Sequence, residues 1–403
     1  MQTTVDMLIG GFGEQGGGDC LGIDWVQAVF PDKGDEGRND AHTGGDAVEG
    51  HDAGGTGSDI SVEHRGLLAK LPSPTWLLFE NSVVFAPLEF SNEIVSLRVN
   101  RDEDGVTLEP LSRVHVDGHT PTHLAIAQDT EGRSHLIVAC YDDGNVCVHP
   151  LDASGHIGAS AQVLRSEGHG PLPAQAGPHA HWVLPLPDGR IITTDLGADR
   201  IHVHRWSDGR LERVASLICP PGTGPRDLHL LPSSTPDDAG WRVAVVGEWS
   251  STVDILASDN ADPSGLRIIQ RVDLGADADD QAASLAFVSD DVLHATASTG
   301  DATYRSEGFC YVGLRGSDRI ISLRWDGSEL SEPEPSQEGR PGHGISSGGG
   351  RPRHIIAVGN ALVVANQTSG KLSIFRLAGN GEATLDKEIV VGSPTAIVPL
   401  PRI

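Results

Sequence analysis

The 403-residue chain carries 56 acidic against 29 basic residues, a formal net charge of −27, which sets it against phosphate backbones and anionic membranes as partners. Fifty glycines and 25 prolines, with hydrophobic residues held to 38 %, point to many turns between short apolar runs rather than to long helices. No run of 18 apolar residues occurs, and "MQTTVDMLIGGFG" lacks the basic and apolar regions of a secretory leader, so a cytoplasmic protein without a membrane-spanning helix is expected.

The first expected strand is "DMLIGGF". Residues 33–58 follow as "KGDEGRNDAHTGGDAVEGHDAGGTGS", which has no apolar periodicity. Such a segment buries too little to offset its ordering entropy and is predicted to be a mobile loop between two strands. Its histidines, His42 and His51, are read as solvated loop residues rather than metal ligands.

Beyond it a unit repeats: Pro, one or two polar or aromatic residues, then an apolar strand. Copies stand at Pro74-Thr75-Trp76, Pro121-Thr122-His123, Pro178-His179-Ala180-His181 and Pro225-Arg226-Asp227. A degenerate copy without Pro lies near Ala283-Ser284-Leu285, and further copies at Pro352-Arg353-His354 and Pro394-Thr395-Ala396. Each continues into an apolar strand, a polar hairpin turn and another strand, as in "HLIVACYDDGNVCVHPL", "RIITTDLGADRIHVHRW" and "FCYVGLRGSDRIISLRW". A period of roughly 45–60 residues with three or four strands per unit marks a β-propeller. Seven copies predict an all-β, seven-bladed β-propeller in a single domain over residues 1–403. The N-terminal strand and the Pro394 copy are each short of a full unit. They are expected to pair in one blade and close the ring, which removes free sheet edges. Five scattered cysteines without C-x2-C spacing are expected to be reduced thiols, and no metal or cofactor is expected.

In a propeller the innermost strands line a central channel. "AGPHAHWV" sets His179 and His181 two residues apart, so a strand presents both on one face. The corresponding positions of other copies are Trp76, His123, Arg226, Asp227, Arg353 and His354. The ends of the next strands add a second ring of Glu89, Tyr141, Asp195, Glu248, Arg315 and Asn366. Titratable groups gathered from several blades at one mouth of the channel indicate a small-molecule site. Bland roles exist for single members. His123 and Trp76 suit a packed wall, Asp195 and Asp318 suit turn buttresses, and His149, His202 and His204 fall on outer strands. The joint occurrence of His179, Arg226, Glu248 and Arg315 asks for more, because buried charges need partners or a ligand.

The repeats resemble the lactonase family of seven-bladed propellers, which includes cycloisomerase-like 6-phosphogluconolactonases and carboxymuconate cyclases. The likeness is carried by "GPHAHWV", "DLGADRIHVHR", "GTGPRDLHLLP", "VVGEWSSTVDIL", "CYVGLRGSDRIISLRW" and "RPRHIIAV" in this order. The resemblance implies catalytic His179, Arg226, Glu248 and Arg315, with His181, Asp227, Arg353, His354 and His123 on the substrate and no metal. The chain departs from the family with Asp227 where His is usual, and with Gly247, Leu88, Cys140 and Leu314 where Asn is usual. The implied activity is metal-independent hydrolysis of a sugar lactone, of the 6-phosphogluconolactone type, acting on a small anionic lactone or carboxylate. Glu248 or His179 would serve as general base. Arg226 and Arg315 would bind the anionic group and polarise the carbonyl, and His181 or His354 would protonate the leaving oxygen. Two other readings use the same residues: a cycloisomerase that closes a lactone from an unsaturated dicarboxylate, and a non-catalytic scaffold or ligand-binding propeller. A calcium-dependent six-bladed lactonase is disfavoured by seven repeats and a site rich in His and Arg.

Overall fold

Each near-continuous apolar run of the sequence forms the second strand of a blade and is covered on both faces. Trp241–Gly247, Gly308–Leu314 and Ala361–Asn366 are buried along their whole length. Outer strands such as Ser61–Lys70 and Ala383–Val390 are mostly partly or fully exposed. The two-sided burial arises because blades pack face to face. The computed structural model describes residues 3–30, 60–234, 241–259, 261–262, 264–294, 306–332 and 344–401. The loop expected at 33–58, with His42 and His51, lies outside the described residues.

Among the described residues the strands form seven antiparallel sheets. From the axis outward, blade 1 is Pro394–Pro399, Thr3–Gly11, Gly22–Phe30 and Ser61–Lys70. Blades 2 to 7 follow in chain order, their innermost strands being Leu78–Glu80, Pro121–Gln128, Ala180–Pro185, Pro225–Pro232, Ala282–Ser289 and Pro352–Val358. The expected closure is present. Ile9 pairs with Ile397 and Met7 with Pro399, so chain start and chain end share one sheet. One short α-helix, Asp290–His294, is found among the described residues, and no helix there is long and apolar enough to cross a membrane.

The core is a ring of seven apolar layers, one at each junction between neighbouring blades. All five cysteines are free and buried.

One irregularity recurs in every blade. At the start of each innermost strand the pairing with the second strand slips by one residue. Pro225 faces Gly247 but Leu228 faces Val245, and Ala180 faces Asp195 but Val183 faces Thr193. The same slip separates Pro121 from His123, Ala282 from Leu285, Pro352 from His354 and Pro394 from Ala396. In blade 2 it lies between the isolated Pro74–Leu88 bridge and the Leu78–Phe85 pair. This is a β-bulge, which bends a strand and re-aims its side chains. It also accounts for the repeated proline, which lacks an N–H and is tolerated at a strand's first residue or at a bulge.

The seam between blades 7 and 1 depends on packing as well as pairing. Ile9 is 1 % exposed and belongs to a cluster with Ile397, Val363 and Ile374. Ile9→Ala is expected to cost about 2–5 kcal/mol and Ile9→Val about 0.5–1.5 kcal/mol in urea unfolding. A cost below ~1 kcal/mol for the alanine variant would mean that the seam is not closely packed.

Candidate functional site

The strand register aligns the seven copies residue by residue, and it revises two of the expected rings. The sequence copies align Pro178 with Pro225. The register instead sets Ala180 in the place of Pro225, facing Asp195 as Pro225 faces Gly247. His181 therefore occupies the position of Arg226 and Arg353, while His179 precedes the strand. The second ring shifts too. Asp195 and Asn366 face Ala180 and Pro352, which is the place of Gly247 and Leu314. The positions equivalent to Glu248, Arg315, Glu89 and Tyr141 are Leu196, Gln367 and Phe12. A step of one residue turns a side chain to the opposite face. Asp195 accordingly points away and buttresses its turn, accepting hydrogen bonds from the His179 and Ala198 N–H groups and from Ser166 Oγ. Asn366 Nδ2 donates to the Ser347 carbonyl and to Ser373 Oγ. Asp318 likewise accepts the Arg351 N–H at 2.7 Å.

Arg226, Glu248 and Arg315 meet as expected. Arg226 Nε lies 3.1 Å from Glu248 Oε2, and Arg315 Nη2 lies 2.9 Å from Glu248 Oε1. All three residues are buried. Their backbones are anchored to neighbouring turns: Glu248 N–H donates to the Gly224 carbonyl, and Arg315 N–H to the Gln281 carbonyl. Gly224 makes the first contact possible. Its φ is 57°, and a Cβ there would stand 2.4 Å from the Trp249 ring. Arg226 Nη1 also donates to His181 Nε2 at 3.1 Å and lies 3.5 Å from Asp227 Oδ1. Asp227 in turn lies 3.6 Å from His229 Nε2.

Arg353 stands apart from this network. It lies over the Phe12 ring at 4.8 Å, and Nη1 reaches Gln367 Oε1 at 3.4 Å. It forms no ion pair with a described residue. Phe12 and Gln367 are therefore site residues that the proline copies did not reveal. Aligning the ends of the second strands instead of their starts would have found both.

A further layer closes the floor with rings. Trp76 packs against Trp182, His123 and His354 with centroids 4.7–4.8 Å apart, and His123 stacks on Trp182 at 3.8 Å. Two of these imidazoles tie blades together. His123 Nδ1 accepts the Val183 N–H at 3.2 Å, and His354 Nδ1 accepts the Ile397 N–H at 3.0 Å. Above the rings a small cleft, partly open to solvent, is lined by Glu89, His181, Arg226, Asp227, Arg353 and His354 among others. His179 does not line it. Its ring stacks on Tyr141 at 4.4 Å, half-buried, with Nδ1–H donating to the Tyr141 carbonyl at 2.8 Å.

Burial and charge set the protonation of the cleft. Burial raises Glu248, but Arg315 and Arg226 outweigh it and hold the carboxyl below its ordinary value. Burial raises Glu89 above its ordinary value despite the opposing charge of Arg353. Burial, then Arg226, keep His181 well below its usual range, and burial pushes His354 down to about 4. Arg353 is pushed down to about 9 by burial and by the neighbouring Arg226 and Arg315. Among the described residues no three His, Cys, Asp or Glu side chains are grouped so as to hold a metal ion.

Comparison with known proteins gives a consistent picture. The family model described as "Lactonase, 7-bladed beta-propeller" matches residues 55–399. The 6-phosphogluconolactonase of Bacillus subtilis (strain 168) is 24 % identical over 318 residues, which cover 77 % of this chain and 81 % of that protein. The periplasmic gluconolactonase PpgL of Pseudomonas aeruginosa superposes with a TM-score of 0.74 at 25 % identity, over 99 % of both chains. A protein from Lactobacillus plantarum superposes with a TM-score of 0.70 at 23 % identity, over 99 % of this chain and 100 % of that one.

The Glu248 pairings make a pH-dependent prediction. A carboxylate held below its ordinary value stabilises the fold above the unfolded value of about 4.3, and that stability is lost as pH falls through the folded value. Glu248→Gln is expected to cost about 3–5 kcal/mol in urea unfolding at neutral pH, with the gap to wild type shrinking only below about pH 4. A gap that stays constant into acid would show that Glu248 is not held as an ion.

Proposed function

Because the chain belongs to the lactonase family of seven-bladed β-propellers, we propose that it hydrolyses a sugar lactone carrying an anionic group, of the 6-phosphogluconolactone type, in the cytoplasm. The observation that carries this reading is the balance of charge in the cleft. Arg226 and Arg315 share the Glu248 carboxylate and Arg226 also approaches Asp227, while Arg353 forms no ion pair with a described residue and is opposed mainly by the Glu89 carboxyl, whose charge burial disfavours. A partly buried cation without a close counter-ion favours one that arrives with the ligand, and a phosphate or carboxylate on the substrate supplies it.

With the anionic group on Arg353, at the mouth of the central channel, the lactone carbonyl lies toward Arg226 and Arg315. Their remaining N–H groups polarise it and stabilise the oxyanion formed when water adds to the carbonyl carbon. Glu248 is too strongly held by two guanidinium groups to be an effective base, and its role is to aim them. His179 lies at the margin of the cleft and reaches the attacking water through a bridging water; its Nδ1–H is engaged by the Tyr141 carbonyl, so Nε2 keeps the lone pair that accepts the proton. It takes the proton from the attacking water and returns it to the ring oxygen as the ester C–O bond breaks, leaving the hydroxy acid.

Purified protein assayed by pH-stat against a lactone panel, with and without a phosphate on the sugar, tests the reading. Arg226→Ala and Glu248→Ala are each expected to lower hydrolysis at least ~100-fold. Unchanged rates in both would remove this cleft as the active site. Arg353→Met is expected to raise KM for the phosphorylated lactone ~10–100-fold and to spare a neutral lactone, the loss of one charge-assisted contact. Equal effects on the two substrates would exclude Arg353 as the anion anchor.

A further inference from the structure

The partners of His179 and His181 dictate where each ring carries its proton. A carbonyl oxygen only accepts, so His179 holds its proton on Nδ1, facing Tyr141 at 2.8 Å. A guanidinium only donates, so His181 Nε2 is the acceptor of the Arg226 Nη1–H at 3.1 Å, and the ring proton lies on Nδ1. The two rings share a tautomer but leave opposite nitrogens free. His179 keeps a lone pair and His181 keeps an N–H. Adding a second proton to His181 would set its Nε2–H against the Arg226 N–H, so the ring is neutral.

His181 Nδ1 is buried and has no hydrogen-bond partner. The residue is 7 % exposed, and it lines the cleft beside Arg226 and Arg353. Buried polar atoms are nearly always paired in folded proteins, and one left open in a cleft wall marks a place for a ligand atom. The same conclusion follows from the alignment of blades, since His181 occupies the position that Arg226 and Arg353 fill in blades 5 and 7.

We propose that His181 is a neutral oxyanion donor, whose Nδ1–H bonds to the lactone carbonyl oxygen and strengthens as that oxygen gains charge. Arg226 is the positioning residue that fixes its tautomer. The role rests on the lactone reading above. His181 transfers no proton, so the water proton still passes from His179 to the ring oxygen. A donor that keeps its proton throughout stabilises the tetrahedral intermediate without competing for the proton of the attacking water.

Two experiments test this. Histidine-ring ¹⁵N NMR of the full chain, without substrate, is expected to show His181 protonated on Nδ1 and bare on Nε2 near neutral pH, and Arg226→Met to release that preference. Kinetics then compare His181→Asn, whose amide reaches the Nδ1 position, with His181→Gln, whose amide reaches the Nε2 position. His181→Asn is expected to stay within ~10-fold of wild-type kcat, and His181→Gln to lose ~100–1,000-fold, the scale of one missing oxyanion donor. A proton on Nε2 in the wild type, or equal losses in the two variants, would overturn the proposal. A wild type inert toward every lactone tested overturns the hydrolase reading and the carbonyl role with it. The NMR result still decides separately whether Arg226 fixes the ring.

Discussion

The innermost strand of each blade has one edge with no neighbour in its own sheet, and the polar backbone there must find partners in the neighbouring blades. Side chains of adjacent blades provide them. His123 accepts the N–H of Val183, His354 that of Ile397 and Ser284 that of Ile355, while Thr194 Oγ1 donates to the Arg226 carbonyl and Thr395 Oγ1 to that of Thr75. These ties hold the beginnings of the strands at fixed spacing round the ring. The one-residue bulge found there in every blade then decides which side chains turn toward the cleft. The site is thus a by-product of how seven sheets satisfy one another's edges.

The charge pattern of the chain is inverted inside that ring. A molecule with 27 more acidic than basic side chains sets Arg226 and Arg353 in the wall of one small cleft, with Arg315 paired to Glu248 behind Arg226. Glu248 is shared by Arg226 and Arg315 through separate oxygens, which keeps both guanidinium groups in place. The aromatic floor of Trp76, Trp182 and His123 excludes water from below, so these charges act in a medium where each is felt strongly. The acidic exterior and the basic cleft are compatible because salt screens the distant surface charges while the buried ones are little screened.

Tyr141 links the two histidines that opened the functional question. Its ring stacks on His179 and meets His181 edge-on at 6.3 Å, and its carbonyl fixes the His179 tautomer. His179 is thereby set at the margin of the ion network and His181 within it. The pair does not act as two equivalent imidazoles on one strand face, because only His181 belongs to the strand.

The amino-acid sequence by itself determined the repeat, the number of blades, the closure of the ring and the meeting of Arg226, Glu248 and Arg315. The first three follow from local chemistry: a proline tolerated at a strand's first residue or at a bulge, apolar runs that need cover on two faces, polar turns at hairpin spacing; the last was implied by the resemblance of the motifs and by the need of buried charges for partners. It did not determine which neighbour of a given residue faces inward. His179 and His181, Asp195 and Leu196, and Asn366 and Gln367 are adjacent or nearly so in the chain, and their facing is set by the bulge in the partner pairing. Phe12 comes to Arg353 only because the chain start and chain end share a sheet. A register slip is a property of two strands and not of one, so only the tertiary structure decides it.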